Sequence, residues 1–370
     1  MTTQTSEITL RHCIQKVATG PEYSKDLNFE ESYWAMRHIL DDSVDLVQAG
    51  VFLIALRMKR ETQDENKGAL QAIRETMDIV QAPVKTVLDI ADPYDGFLRH
   101  LPMSPFLPAV LASCEVPTFA HGIELVGPKY GVTYAKILRA AGIKTDRTTQ
   151  NAAELLDDVG WAYVDQSQFC PSLHRLESLR SRIVKRPLLT TIDVLLNPIR
   201  GKEKTHYVTG YVHKAYPPVY LDLARFLSFD SAAVVKGNEG GIIPSLKQPS
   251  RLFEYHGDEE IQPRNLDPDS CGRKQTVRAV PVPDDLPKAS VQSDDIGASL
   301  DVDSMAEITA EIGIRALEGE KGIALDSLIY GGAIILSHLH KQTSLNEAAK
   351  TIAKQIDNGE AYARFKAALD

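Results

Sequence analysis

Between Val87 and Ile143 the apolar positions fall into short runs separated by turn residues. Val87, Leu88 and Ile90 form one run that ends in Ala-Asp-Pro-Tyr-Asp-Gly, which predicts a buried strand broken by a turn. A helix follows over Pro105–Ser113, with Ser104 in capping position. Val116–Phe119 predicts a second strand, ended by Ala-His-Gly. A Gly-Pro-Lys-Tyr-Gly loop then opens a helix over Thr133–Ala141, with Gly142 as its C-cap. The order β–turn–α–β–turn–α is an α/β signature, and its turns fall at the carboxyl ends of strands, where open α/β sheets bind ligands.

The flanking segments follow a helical period. Asn28 and Glu31 make a capping box ahead of Tyr33, Met36, Ile39 and Leu40. Ser43 is placed to cap a second helix through Leu46, Val47, Gly50, Leu53, Ile54 and Leu56. Thr62 and Glu65 cap a third, through Ile79. The pattern therefore divides into an all-helical segment, 1–82, and an α/β part, 83–148 and 188–370, with central parallel or mixed strands flanked by helices. Two more helices, Thr149–Gly160 and Ser172–Lys185, lie between, and residues 149–187 are expected to join the helical domain in space. Leu188–Ile192 reads as a short apolar strand, Thr205–Val212 as β, Val219–Leu227 as helix and Ala232–Val235 as a buried strand. Residues 257–302, rich in Pro, Asp and Ser, read as a long surface excursion. Met305–Leu369 returns to helix, with Gly359 ahead of the last one.

Composition adds little to the class but sharpens the charge. The 43% hydrophobic and 25% charged content is that of an ordinary globular protein. Cys13, Cys114, Cys170 and Cys271 stand far apart, which suggests neither a zinc site nor a disulfide framework and fits a reducing cytoplasm. The polar N-terminus has no signal-peptide core, and no apolar run reaches a membrane span. The net charge of −9 argues against a general nucleic-acid binder. It is uneven, however. Ser172–Lys214 carries nine cations, among them Arg175, Arg180, Arg182, Lys185 and Arg186, against three anions; this is a local +6, leaving −15 on the remainder. Such a patch predicts either a local anionic partner or a solvated face.

Two glycine-bearing turns could hold phosphate through backbone N–H groups. In the first, Ala91–Gly96, Pro93 removes a donor, Tyr94 fills space and Asp92 adds negative charge. The reading of a plain structural turn stays open beside that of a phosphate cradle. The second, Lys236-Gly237-Asn238-Glu239-Gly240-Gly241, follows a buried strand and is the better loop. Arg180 and Arg186 have the guanidinium that suits a carboxylate or phosphate, or are surface charges. His121 at a strand end is either a hydrogen-bonded structural residue or a cleft group.

The order and spacing of these turns resemble the anthranilate phosphoribosyltransferase family, whose fold is shared with pyrimidine nucleoside phosphorylases. Its glycine-rich GTGGDG loop corresponds to Ala91–Gly96, where Asp95 and Gly96 match. Its Asn-x-Ser-Thr corresponds to Pro102–Pro105, keeping Ser104. Its Lys-His-Gly corresponds to Ala120-His121-Gly122, and its Ser-Ser-Lys-x-Gly to Gly127–Gly131, keeping Lys129 and Gly131. The stretch Gly50–Thr62 is similar to the family's helical domain, which forms its homodimer interface. The resemblance implies transfer of phosphoribosyl from phosphoribosyl pyrophosphate to an aromatic or nitrogenous acceptor, as in tryptophan biosynthesis, without an organic cofactor. It places Asp95, Gly96, Ser104, His121, Gly122, Lys129, Gly131, Arg180, Lys236, Gly237, Asn238 and Glu239 at the substrate. In the family an adjacent Asp-Glu pair holds Mg2+ on the pyrophosphate; those positions here are Ile242 and Ile243, leaving Ser104 and Glu239 as the metal candidates. Lys236–Gly240 also resembles a side branch of the family with altered loops that binds nucleic acid in its cleft, which implies single-stranded nucleic acid on Arg175, Arg182, Lys185 and Arg186 as the alternative.

Overall fold

The computed structural model describes residues 8–20, 22–289, 300–341 and 344–369; the polar N-terminus and part of the 257–302 excursion lie outside them. The N-terminal helices start where local chemistry says they should. Asn28/Glu31 and Thr62/Glu65 form complete capping boxes on Phe29–Leu40 and Gln63–Arg74. Two details differ from the sequence reading. Asp45 caps Leu46–Lys59, because its carboxylate reaches the Val47 and Gln48 amides, whereas the Ser43 hydroxyl turns back to the His38 carbonyl. The third helix ends at Arg74, short of Ile79.

Among the described residues nine strands follow: β1 Val80–Gln81, β2 Thr86–Ala91, β3 Thr118–Gly122, β4 Trp161–Asp165, β5 Ile199–Arg200, β6 Lys204–Gly210, β7 Ser231–Val235, β8 Ser250–His256 and β9 Gln262–Leu266. β1 and β5 make a small parallel pair. The other seven form one sheet in the order β4-β3-β2-β6-β7-β8-β9, parallel from β4 to β7 and antiparallel from β7 to β9. Residues of β2, β3, β4 and β7 are nearly all buried, as expected for parallel strands covered on both faces. Alternate residues enter two separate cores. Leu88, Ile90, Val208 and Val235 meet the C-terminal helices Val302–Leu317, Ile323–His338, Leu345–Asp357 and Glu360–Lys366; Val87, Phe119, Tyr207 and Val234 meet the N-terminal helices. The protein is thus a helical N-terminal domain against an α/β domain with a mixed, mostly parallel sheet.

Corrections fall where tertiary contacts decide. Leu188–Ile192, read as a strand, is largely a turn of helix, Leu189–Ile192. Edge strand β4 and the antiparallel β8–β9 pair escaped the reading. β4 is a short run directly behind a helix, and β9 carries Pro263, Arg264 and Asn265. Glu177–Ile183 packs on Leu46–Lys59, and Thr149–Asp158 lies against β4 with Ala152, Ala153 and Leu156 in the core that holds the N-terminal helices. Among the described residues no helix is long and apolar enough to cross a membrane.

Candidate functional site

The turns after β2, β6 and β7 meet at the carboxyl rim of the sheet and enclose a cleft of about 510 Å³. Pro93, Asp95, Arg99, Lys129, Arg186, Thr209, Tyr211, Tyr216, Tyr220 and Glu239 line it. A wider outer lobe, about 1130 Å³, shares Arg57, Lys129, Arg186 and Tyr216 and opens toward the helical domain at Met58 and Glu61.

The first turn does not present its side chains as the sequence suggested. Asp92 is turned inward: its Oδ1 accepts the Ile242 amide at 2.8 Å, and the Ser104 hydroxyl donates to its other oxygen. Burial pushes this carboxyl up from its ordinary value, against the hydrogen bonds from Ser104 and Ile242, and Asp92 lies beneath the cleft lining instead of in it. Ser104 is correspondingly not a helix cap; a 3-10 turn over Ser104–Phe106 precedes the helix Leu107–Ala112. Tyr94 is also buried, with its hydroxyl bonded to His121 Nδ1. His121 Nε2 lies 3.1 Å from Asp89 Oδ1, without hydrogen-bond alignment, and Asp89 accepts Asn197 Nδ2 at 2.9 Å. His121 and the neighbouring buried Gly122 therefore belong to the protein's interior, not to the cleft wall.

Gly96 and Gly131 have a backbone role. Gly96 sits at φ 76°, and a Cβ there would stand 2.5 Å from the Gly131 carbonyl. The two turns cross at this point, and the Phe97 and Val132 backbones pair across it. Lys129 Nζ is anchored on the Gly96 carbonyl at 2.5 Å. Asp95, 3% exposed, receives Arg186 Nη2 at 2.6 Å and Nε at 2.7 Å.

Glu239 is the centre of the site. Gly237 lets its loop fold tightly, since a Cβ there would lie 1.6 Å from the Gly241 carbonyl. Glu239 itself takes left-handed backbone angles, φ 51° and ψ 17°. Its carboxylate reaches across the cleft and accepts the Leu98 amide at 3.2 Å, the Arg99 amide at 2.8 Å and His100 Nδ1 at 3.0 Å, with Lys129 Nζ 2.9 Å away. Burial alone would push this carboxyl up; His100, Lys129 and the Arg99 amide overcome it and hold it at about 2. Two backbone amides, an imidazole and an ammonium make an anion cradle, and the protein's own carboxylate fills it. Asn238 is a loop staple, donating to the Ile243 and Arg278 carbonyls, and Lys236 is exposed and lines neither lobe.

The residues do not fit Mg2+ as an oxygen-ligated ion. Ile242 and Ile243 are 2% and 9% exposed core side chains. Ser104 is spent on buried Asp92, and Glu239 is committed to cations. Arg180 is likewise withdrawn from the cleft: it is 1% exposed and donates to buried Asp193 at 2.6 Å. The +6 segment is not one basic face. Arg175 donates to the Leu40 carbonyl and Arg186 is paired to Asp95, although both are exposed; of the exposed Arg182 and Lys185, only Lys185 lines the outer lobe. Sequence reasoning missed Arg57, Arg99, Tyr216 and Tyr220. The i,i+4 pair Tyr216–Tyr220, whose rings lie 5.8 Å apart, could have been found from helical spacing alone.

Comparison with known proteins agrees with this architecture. A family model described as "Glycosyl transferase family, helical bundle domain" matches residues 11–77. An uncharacterized protein of Aquifex aeolicus is 30% identical over 261 residues, 70% of this chain and 78% of that one. An anthranilate phosphoribosyltransferase of Sphingopyxis alaskensis is 29% identical over 350 residues, covering 93% and 95%. The crystal structure of the Thermus thermophilus anthranilate phosphoribosyltransferase superposes with a TM-score of 0.73 at 20% identity, over 97% of this chain and 98% of that one. The Saccharomyces cerevisiae enzyme, in complex with PRPP and Mg, gives 0.75 at 16% identity, over 98% and 97%. With a matching helical bundle, sequence similarity along nearly its whole length and the same full-length fold, the chain belongs to the anthranilate phosphoribosyltransferase family.

Proposed function

We propose that the cleft takes a phosphate-bearing ligand of the phosphoribosyl pyrophosphate class, and that transfer of its phosphoribosyl group to an aromatic or nitrogenous acceptor is weak or lost. Arg99, Lys129 and Arg186 supply positive charge to the inner lobe, and Tyr216, Tyr220 and Arg57 give the acceptor side an aromatic wall with a guanidinium. In such a reaction binding and electrostatic stabilisation of the leaving pyrophosphate do the catalytic work, so the anion site decides the rate. The observation that carries the reading is Glu239 seated on the Leu98 and Arg99 amides, His100 and Lys129. An incoming phosphate must displace a carboxylate that is already well paired, with no acidic pair positioned to bring magnesium with it.

Calorimetric titration of phosphoribosyl pyrophosphate into the full chain, with magnesium and with a chelator, tests this. Binding weaker than micromolar and little changed by chelation is expected. Micromolar affinity that collapses on chelation would overturn it. A homodimer through the helical domain belongs to the same proposal. On the helix Leu46–Lys59, Val47, Val51 and Met58 are exposed at 67%, 44% and 79%. With half-buried Ile54 they fall within about 60° of the helix circumference at roughly 100° per residue, an apolar stripe suited to a second copy.

A further inference from the structure

A second cluster of chemically capable side chains stands at the opposite rim of the sheet. His206 is the third residue of β6 and Ser231 opens β7, near the amino ends of these strands; β8 runs the other way, so Glu254 and His256 arrive at the same rim, with His256 opposite Ser231. The carboxyl end of the helix Ile323–His338 adds His338, and His340 follows. His206 lies four residues before Gly210 of the cleft, about 13 Å at 3.3 Å per strand residue.

We propose that Glu254, His256 and His338 form a binding site for a divalent transition-metal ion of the zinc class. One ligand atom from each of the three lies within 4.8 Å of the others. Ligands around tetrahedral zinc, with bonds of about 2.0–2.1 Å, stand about 3.3 Å apart, so side-chain rotations of about an ångström would close the set. Two imidazoles and one carboxylate suit zinc, cobalt or nickel and not magnesium.

The surroundings have the form of a metal site's outer support. Arg264 reaches both oxygens of Glu254, with Nε 2.9 Å from Oε1 and Nη2 donating to Oε2 at 3.3 Å, and Oε2 also faces His338 Nδ1 at 2.6 Å. On the other side of that ring, Nε2 meets Ser231 Oγ at 3.0 Å, and Ser231 Oγ meets His206 Nδ1 at 2.7 Å. When a metal takes His338 Nδ1, its Nε2 can carry the ring proton to Ser231, and the Ser231 hydroxyl can turn to His206. The relay rearranges tautomers and all three groups stay neutral. His340 is exposed, with its ring 4.3 Å from that of His256.

The test uses the full, tag-free chain, stripped with chelator. Zinc chloride is titrated calorimetrically, and cobalt(II) is added separately to read visible absorption. One equivalent of zinc at micromolar affinity or better is expected, with a tetrahedral-type cobalt spectrum and no response to magnesium. Glu254→Gln is near-isosteric and His256→Ala removes a half-buried ring, so both variants are expected to fold. Each should weaken zinc binding at least tenfold, since even outer-shell changes cost about that much. Far-ultraviolet circular dichroism confirms that the variants are folded. No zinc binding by the wild type, or binding unchanged in both folded variants, overturns the proposal.

Discussion

Replacing Glu239 by Gln keeps the shape of the side chain and removes its charge. In the native protein this carboxyl is held at about 2 rather than the ordinary 4.5, and that difference corresponds to roughly 3 kcal/mol in favour of the ionised form. The side chain is 10% exposed, so solvent screening trims this only modestly. The glutamine can still accept an amide hydrogen bond, which leaves an expected loss of about 2–3 kcal/mol at neutral pH. For 370 residues at roughly 2.1 cal/mol/K each, that is a fall in Tm of about 3 °C. The sign with pH is fixed. A depressed carboxyl stabilises the fold fully above the unfolded value, and that stabilisation is lost as pH falls from 4.5 toward 2. Thermal denaturation of wild type and E239Q should therefore differ near pH 7, the gap narrowing as pH falls below 4.5 and nearly closing at about pH 2. Glu239→Ala, which empties the cradle, should bind inorganic pyrophosphate at least tenfold more tightly than wild type at low salt. Equal Tm values at pH 7, a gap that persists unchanged at low pH, or an alanine variant that binds pyrophosphate no better would refute the reasoning.

Two further outcomes follow from buried and exposed extremes. Arg180→Ala strands the buried Asp193 carboxylate, so unfolding in urea should show a loss of about 3–5 kcal/mol, largely recovered when Asp193→Leu accompanies Arg180→Met. Val51→Asp within the exposed apolar stripe should convert a dimer to a monomer in light scattering with the cleft residues untouched; a wild type that is monomeric across a concentration series would remove the dimer from the proposal.

Local chemistry made much of the fold legible. The capping boxes of Asn28 and Thr62, the glycine after Thr133–Ala141, and the buried strands before Ala91 and Val235 are each determined by residues within a few positions. The resemblance carried the order of the turns. The site was less legible because its contacts span the chain. Glu239 finds its partners about 140 residues upstream, and Asp92 turns away from the cleft to hold Ile242. Arg180 and Asp193 lie close in sequence, but nothing local indicates that both are buried. The same property hid β9: its polar, proline-bearing sequence is acceptable only because it has one neighbouring strand.

That last strand has a consequence for how the molecule behaves in a crowded solution. An open sheet offers two rims where another chain could add itself, and one rim here is β9, where Pro263 has no N–H to give and Gln262, Arg264 and Asn265 are polar. The other rim, β4, is buried along its whole length. Growth by sheet extension is discouraged at both ends. Copies of this protein can be concentrated without templating one another through their backbones, and self-association is left to side-chain surfaces such as the helix stripe, where it can stop at two.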